Sequence, residues 1–286
     1  MRTWLALCLL LIGSVAQAAP PQRIAVIDWG IAETLLGLGV SPIAVAQTEG
    51  YRRWVGTPAL PADVVDLGLR VEPNLELLSQ LEPDLILITP QFAASRAQLE
   101  RIAPVHSLAI YTREAEGYVG AQQVTRELAA LLERETEGEA LIERIDARLL
   151  QVRQRLSQYP LPAFYITTFL DARHVRLFGK QSLYQGVLDR VGLRNAWQGP
   201  TNYWGFTQVG IERLAEQPAA ALIYLEPLPP GTAQGLANSA LWQRLPMVRE
   251  QRVHGLAPVW SFNGLLAAER FAGLLEQRLS EEYGHD

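Results

Sequence analysis

Hydrophobic and polar residues along this chain fall into short apolar runs separated by segments of helical period, the pattern of an α/β protein. Residues 23–28 and 42–46 predict two strands, with a helix over 31–38 between them that Gly39 stops. Such a strand–helix–strand opening is typical of parallel layers, in which ligands meet the loops at the carboxyl ends of the strands. In the next unit Arg70 sits in a loop just ahead of a helix. Pro73 fits the first helical turn, Leu75, Leu77, Leu78 and Leu81 give the apolar face, and residues 84–89 predict a buried strand. The unit recurs at 210–218, a second short helix with an early glutamate, followed by an apolar strand over 220–225. The chain therefore reads as two related halves.

Between the halves, from about Gly117 to Ser157, Glu and Arg alternate among Leu, Ile and Ala without proline, which predicts one very long helix or two with a break near Gly138. Leu141, Ile142, Ile145, Leu149, Val152 and Leu156 keep helical spacing, and Glu143, Arg144, Arg148 and Arg153 fill the other face. A helix of roughly 20 residues is about 30 Å long, enough to run from one domain to another. The expected organisation is a leader over 1–18, an N-terminal α/β lobe over 19–135, a connecting long helix over 136–158 and a C-terminal α/β lobe over 159–286. In the second half the runs 163–170 and 175–178 flank the turn Asp171-Ala-Arg-His174. Ser182 caps a helix to Val191, and a closing helix runs from about Leu265 to Tyr283.

The leader is read from a short basic start at Arg2, an apolar run from Trp4 to Val15 and the small-residue pattern Ala16-Gln17-Ala18, so the chain is expected to be exported and to begin at Ala19 when mature, the periplasm being the compartment that the resemblance given below implies. That run is shorter than the roughly 20 residues a spanning helix needs. Cys8, the only cysteine, lies inside it, which leaves the mature chain without a disulfide, a thiolate nucleophile or a cysteine metal site. Removing Arg2 with the leader leaves 24 basic against 30 acidic residues, a net charge of −6 that argues against nucleic acid or anionic lipid as partner.

Enzyme signatures are weak. Asp28, Asp171, His174 and Asp189 show no paired-carboxylate spacing, and there is no nucleophile elbow or phosphate-cradling glycine loop. Histidines 106, 174, 254 and 285 are too scattered to assemble a metal site. What stands out is aromatic residues in non-periodic turns: Trp29, Trp54 and Phe92 in the first half, and Trp204, Trp260 and Phe262 in the second. Side chains of this kind line pockets for bulky ligands because they bury large areas with few rotatable bonds. Trp29, Trp54, Arg70 and Phe92 fall at topologically equivalent strand ends and form a rim. Arg70 would offer a rigid fork of donors to polarised oxygens, its bland alternative being a salt bridge with Asp66 or Glu72.

At these residues the chain resembles the periplasmic ferric-hydroxamate siderophore-binding proteins of bacterial iron-uptake ABC transporters. The resemblance rests on Tyr51-Arg-Arg-Trp54-Val, on 67–78 around Arg70, on Asp171-Ala-Arg-His174, on Leu177-Phe-Gly179, on 195–199, on Thr201-Asn202-Tyr203-Trp204-Gly205 and on Pro258-Val-Trp260. It implies two α/β lobes joined by one long helix, the helical-backbone architecture of periplasmic binding proteins, with a shallow aromatic cleft between them. It also implies a hydroxamate contact for Arg70, pocket walls from Trp54 and Trp204, and a ligand-side place for Asn202. Phe92 departs from the pattern, standing where the family carries a tyrosine whose hydroxyl reaches the hydroxamate; the missing bond is worth about 0.5–1.5 kcal/mol. Glu76 and Glu212 begin the two repeated helices, and in related proteins such glutamates dock on arginines of the membrane permease, whereas the plainer reading is helix-dipole complementation. A ferric tris-hydroxamate is neutral, so a single arginine suffices and no protein metal ligand or cofactor is expected, iron entering only within the ligand. The expected protein is a monomeric carrier of a ferric siderophore; a cobalamin or haem carrier is the runner-up, and a secreted hydrolase the alternative from another class.

Overall fold

Two sheets account for most of the apolar runs in the computed structural model, which describes residues 20–112, 116–262 and 264–284. The expected leader over 1–18 with Cys8, and His285, lie outside the described residues. The first lobe runs β1 (Ile24–Val26), α1 (Trp29–Gly37), β2 (Ala44–Val45), α2 (Thr48–Trp54), β3 (Val65–Asp66), β4 (Gly68–Leu69), β5 (Glu72–Pro73), α3 (Leu75–Gln80), β6 (Leu85–Ile88), a 3-10 turn over Pro90–Ser95, α4 (Arg96–Leu99) and β7 (Val105–Ser107). Its sheet has the order β3-β2-β1-β6-β7, every pairing parallel. β1 and β6 are buried along their whole length, as strands covered on both faces must be. The order reverses between β1 and β6, and a crevice for ligands opens at that point beyond the strand ends.

The chain then leaves through α5 (Gly117–Leu131) and α6 (Glu135–Leu156). These are two helices, and the break is not at Gly138. It falls at 132–134, where Glu133 takes a φ of +54° and the chain doubles back. Gly138 instead lies inside α6 at its closest approach to α5, where a Cβ would come within 2.6 Å of Ala129 Cβ. At 22 residues α6 is about 33 Å long and carries the chain to the second sheet.

The second lobe contains β8 (Ala163–Phe169), β9 (His174–Phe178), α7 (Leu183–Val191), β10 (Arg194–Asn195), β11 (Phe206–Gly210), a 3-10 turn over Ile211–Glu216, β12 (Ala221–Leu225), α8 (Thr232–Ala237), α9 (Ala240–Arg244), α10 (Pro246–Arg249), β13 (Val253–Leu256) and α11 (Leu265–Tyr283). The sheet order is β11-β9-β8-β12-β13. β8 and β9 form the antiparallel pair that the sequence predicts. Their turn is locked by Asp171, whose carboxylate accepts bonds from the backbone N–H of Arg173 at 2.6 Å and of His174 at 2.8 Å. The predicted second repeat helix is this 3-10 turn, a shorter and tighter element than its counterpart α3.

Two lobes joined by the long helix α6 are the expected architecture, and a shared core adds to that connection. Ile24, Leu35, Leu128, Ile145, Phe164, Leu188 and Phe271 belong to a continuous buried cluster drawn from both lobes and from the helices between them. α11 is pinned to α6 by Glu276, which pairs with Arg148 at 2.5 Å and Arg155 at 2.7 Å, so one face that reads as solvated is instead an interhelical seam. Tyr111 of the first lobe donates its hydroxyl to the Ser261 carbonyl at 2.7 Å, and Tyr184 of the second reaches the Val259 carbonyl at 2.8 Å. A wide opening of the lobes would expose this shared core, so the architecture favours small relative motions.

Candidate functional site

The loop that holds Arg70 is more constrained than its sequence implies. β4 and β5 pair antiparallel as a two-strand hairpin, with Arg70 and Val71 at its tip. Pro73 lies in β5 and not in a helix; α3 starts at Leu75, with the Asn74 side chain accepting from the Leu77 N–H at 2.9 Å. Asp66 does not pair with Arg70 either. Its carboxylate accepts from the Gln47, Thr48 and Gly68 N–H groups and from the Thr48 hydroxyl, tying the base of the hairpin to α2. Desolvation pulls the Asp66 carboxyl upward, but these bonds outweigh it and hold it below its ordinary range.

From the hairpin tip the Arg70 side chain crosses onto aromatic rings. Its guanidinium carbon lies 3.8 Å from the Trp29 ring centroid and 5.3 Å from that of Trp260. Trp29 is 2% exposed and donates its indole N–H to the Ala46 carbonyl at 3.0 Å, so it forms a fixed floor beneath the cation and not a wall of the cleft. Room for that indole comes from Gly50 of α2, where a Cβ would stand 2.3 Å from the ring. Burial lowers the Arg70 pKa, and the buried Asp28 carboxylate partly offsets this from beyond ion-pairing distance. Asp28 itself caps α1, accepting from the Gly30 N–H at 2.8 Å, and its pKa is raised by burial despite Arg70 and those backbone bonds.

Around Arg70 the structure assembles an aromatic strip from both lobes. Trp260 packs on Trp29 at 4.9 Å, on Trp54 at 6.2 Å and on Phe262 at 5.5 Å between centroids; Phe262 continues to Phe206 at 6.0 Å, and Phe206 stacks on Trp204 at 6.2 Å. Two cavities flank this strip. One of about 400 Å³ is lined by Arg53, Trp54, Phe169, Arg176, Glu226 and Trp260 among others, and one of about 270 Å³ includes Asp28, Gln91, Tyr111, Tyr203, Trp204 and Phe262. Both lie at strand carboxyl ends: Asp28 follows β1, Gln91 follows β6, Glu226 follows β12 and Trp260 follows β13. Trp204 is 41% exposed and available to a ligand from the second lobe.

Two predicted site residues belong elsewhere. Phe92 is buried among Ile27, Ile86, Ile88 and Leu99 in the core of the first lobe, because the 3-10 turn after β6 directs it inward. Asn202 serves its own loop: its side-chain oxygen accepts from the Trp204 N–H at 3.0 Å and the Phe206 N–H at 3.2 Å, which fixes the turn that presents Trp204. Gly205 completes that turn with a φ of +77° and no room for a Cβ beside Ser182. The Tyr203 hydroxyl donates across the cleft to the Tyr111 carbonyl.

Three donor nitrogens on the strip, Arg70 Nε, Arg176 Nε and Trp260 Nε1, are buried with no acceptor among the described residues. Arg176, on β9, is the residue the sequence reading missed. Its guanidinium carbon lies 4.3 Å from the Phe206 centroid and 5.9 Å from that of Phe262. The available signal was a lone arginine inside the apolar run Val175-Arg-Leu-Phe178. His174 and Asp171, the pair that suggests acid–base chemistry, line neither cavity and are more than half exposed. No group of three or more His, Cys, Asp or Glu able to hold a metal occurs among the described residues. Glu76, in the first turn of α3, and Glu212, in the 3-10 turn after β11, are exposed on separate lobes and form no ion pair among the described residues.

Known proteins share this fold. A structure of the siderophore-binding protein FhuD from Vibrio cholerae, bound to Fe3+-Desferal, superposes with a TM-score of 0.85 at 30% identity, covering 90% of this chain and 97% of that one. The iron(3+)-hydroxamate-binding protein FhuD of Escherichia coli is 34% identical over 264 residues, 92% of this chain and 89% of that protein. The Fe(3+) dicitrate-binding periplasmic protein FecB of the same organism is 26% identical over 272 residues, 91% and 85% of the two chains. The family model for periplasmic binding proteins matches residues 24–259, and the chain belongs to that family.

Proposed function

We propose that this protein binds a ferric siderophore of hydroxamate type in the cleft between its lobes and delivers it to an inner-membrane ABC importer, with no chemistry on the ligand. The observation that carries this reading is the set of buried donors without acceptors along an aromatic strip. Leaving such donors unmet costs the free protein stability, and a ligand rich in anionic oxygens relieves that cost while its organic shell covers the indoles. The names of two similar proteins, both called FhuD, specify a hydroxamate or a siderophore, and the name of a third specifies ferric dicitrate.

In this reading Arg70 contacts the chelating oxygens from its indole floor, and Trp54, Trp204, Trp260 and Phe262 enclose the organic part. The hydroxyl of the family tyrosine is missing at Phe92, which is apolar and turned into the core. The protein acts as a periplasmic monomer, and Glu76 and Glu212, one on each lobe, meet basic residues of the permease.

Quenching of tryptophan fluorescence tests the reading. The chain from residue 19 has six tryptophans, and Trp29, Trp54, Trp204 and Trp260 lie on or under the strip. Titration with a ferric tris-hydroxamate, its metal-free form, a ferric catecholate and cobalamin is expected to give saturable quenching with the first at low concentration. Saturation by cobalamin alone, or by no member of the panel, removes the siderophore assignment.

A further inference from the structure

Arg176 is placed as a ligand-reading group and is hard to account for as a packing residue. It stands on β9, inside the sheet between β8 and β11, and its backbone carbonyl accepts the Thr167 hydroxyl at 2.7 Å, so its position is set by the sheet. Its guanidinium covers the Phe206 face and opens into the larger cavity, with Nε buried and unmet among the described residues. Arg70 has the Asp28 carboxylate to offset its charge, whereas Arg176 forms no ion pair among the described residues and burial pulls its pKa down. The same cavity has Arg53 on its rim, stacked over Trp54 at 5.6 Å, against a single exposed carboxylate, Glu226. An aliphatic side chain would pack on Phe206 without desolvating a charge, so the arginine leaves the empty cleft with a cost that an anion removes.

A neutral tris-hydroxamate gives one arginine enough to do. Resting on the siderophore reading above, we infer that Arg176 is a second, charge-reading ligand contact, and that the cleft is built for a ferric complex of net negative charge, a hydroxamate chelate that also bears carboxylate groups. Arg70 meets the oxygens around iron from the first lobe, and Arg176 forks onto a carboxylate from the second, the two cations lying at either end of the Trp260–Phe262 pair.

The test compares two probes on the full mature chain by fluorescence titration: a neutral cyclic-peptide ferric tris-hydroxamate and the anionic ferric complex of a citrate-based dihydroxamate. The wild type is expected to bind the anionic complex more tightly, with an affinity that falls as sodium chloride is raised, while binding of the neutral complex stays nearly flat. Arg176→Gln should lose tenfold or more for the anionic complex, with a change below about threefold for the neutral one, and should lose the salt dependence. Arg176→Lys should keep the salt dependence with part of the affinity. Arg176→Met preserves the contact with Phe206 and gives the same ligand discrimination if the glutamine variant does not fold. Equal losses for both complexes, or none for either, overturn the inference while leaving the siderophore reading in place. Failure of the wild type to bind either complex removes both.

Discussion

The Arg70 guanidinium lies 3.8 Å above the Trp29 ring, and the Trp29 indole is in turn anchored to the Ala46 carbonyl. A flexible side chain at a hairpin tip is thereby held in one place before any ligand arrives. Arg70→Ala is expected to weaken binding of a ferric hydroxamate by about 10–100-fold, the loss of charge-assisted bonds worth roughly 1.5–3 kcal/mol. The melting temperature should move by no more than about 3 °C, since the variant also relieves a buried charge. A paired titration and thermal melt decides the matter, and a collapse of stability equal to the loss of affinity would make Arg70 structural.

Gly50 gives an independent handle on the same floor. A methyl group there collides with the Trp29 ring at 2.3 Å, so Gly50→Ala must shift the indole or α2. Overpacking of this kind costs about 1–3 kcal/mol, or roughly 2–6 °C in melting temperature for a chain of this size. Affinity for a ferric hydroxamate should fall several-fold although Arg70 is unchanged, and unaltered affinity would separate Trp29 from ligand binding.

Asp28 couples the site to pH. Its folded-state pKa is raised by burial, so the unfolded chain gives up this proton at lower pH than the folded protein does. Ionised Asp28 therefore costs stability above its raised pKa, and the cost fades as pH falls toward the ordinary carboxylate range. Asparagine caps a helix about as well and has no charge to bury. Asp28→Asn is expected to melt higher than the wild type at neutral pH, with the difference shrinking on acidification. Thermal melts across that range check it, and a constant difference at every pH would show that the carboxyl does not titrate as argued.

Glu76 and Glu212 are exposed on different lobes and neither reaches the cleft, so reversing their charges separates delivery from capture. The double variant Glu76→Arg, Glu212→Arg should bind a ferric hydroxamate with unchanged affinity and fail to support uptake in cells that lack the wild-type protein. Normal uptake by the double variant would leave the two glutamates as ordinary helix-terminus acids.

Local signals in the sequence determined the elements. Apolar runs and helical patterns located β1, β6, β8, β9, β12, α7 and α11, and the turn at Asp171–His174, because each depends on residues within a few positions of one another. The aromatic turn residues and Arg70 were legible for the same reason: they break the local period and so stand out. Tertiary structure decided what each of them does. It placed Trp29 beneath Arg70 through a partner 17 residues away, sent Phe92 into the core through the direction of one short turn, and through side-chain and backbone bonds that carry no periodic signal committed Asn202 to its own turn and made the Arg70 loop a hairpin. It also brought Arg176, silent within an apolar strand, to the same aromatic strip as Arg70. The distinction is physical: periodicity reports which face of an element is buried, whereas the identity of the group across that face depends on how the sheets and helices close on one another.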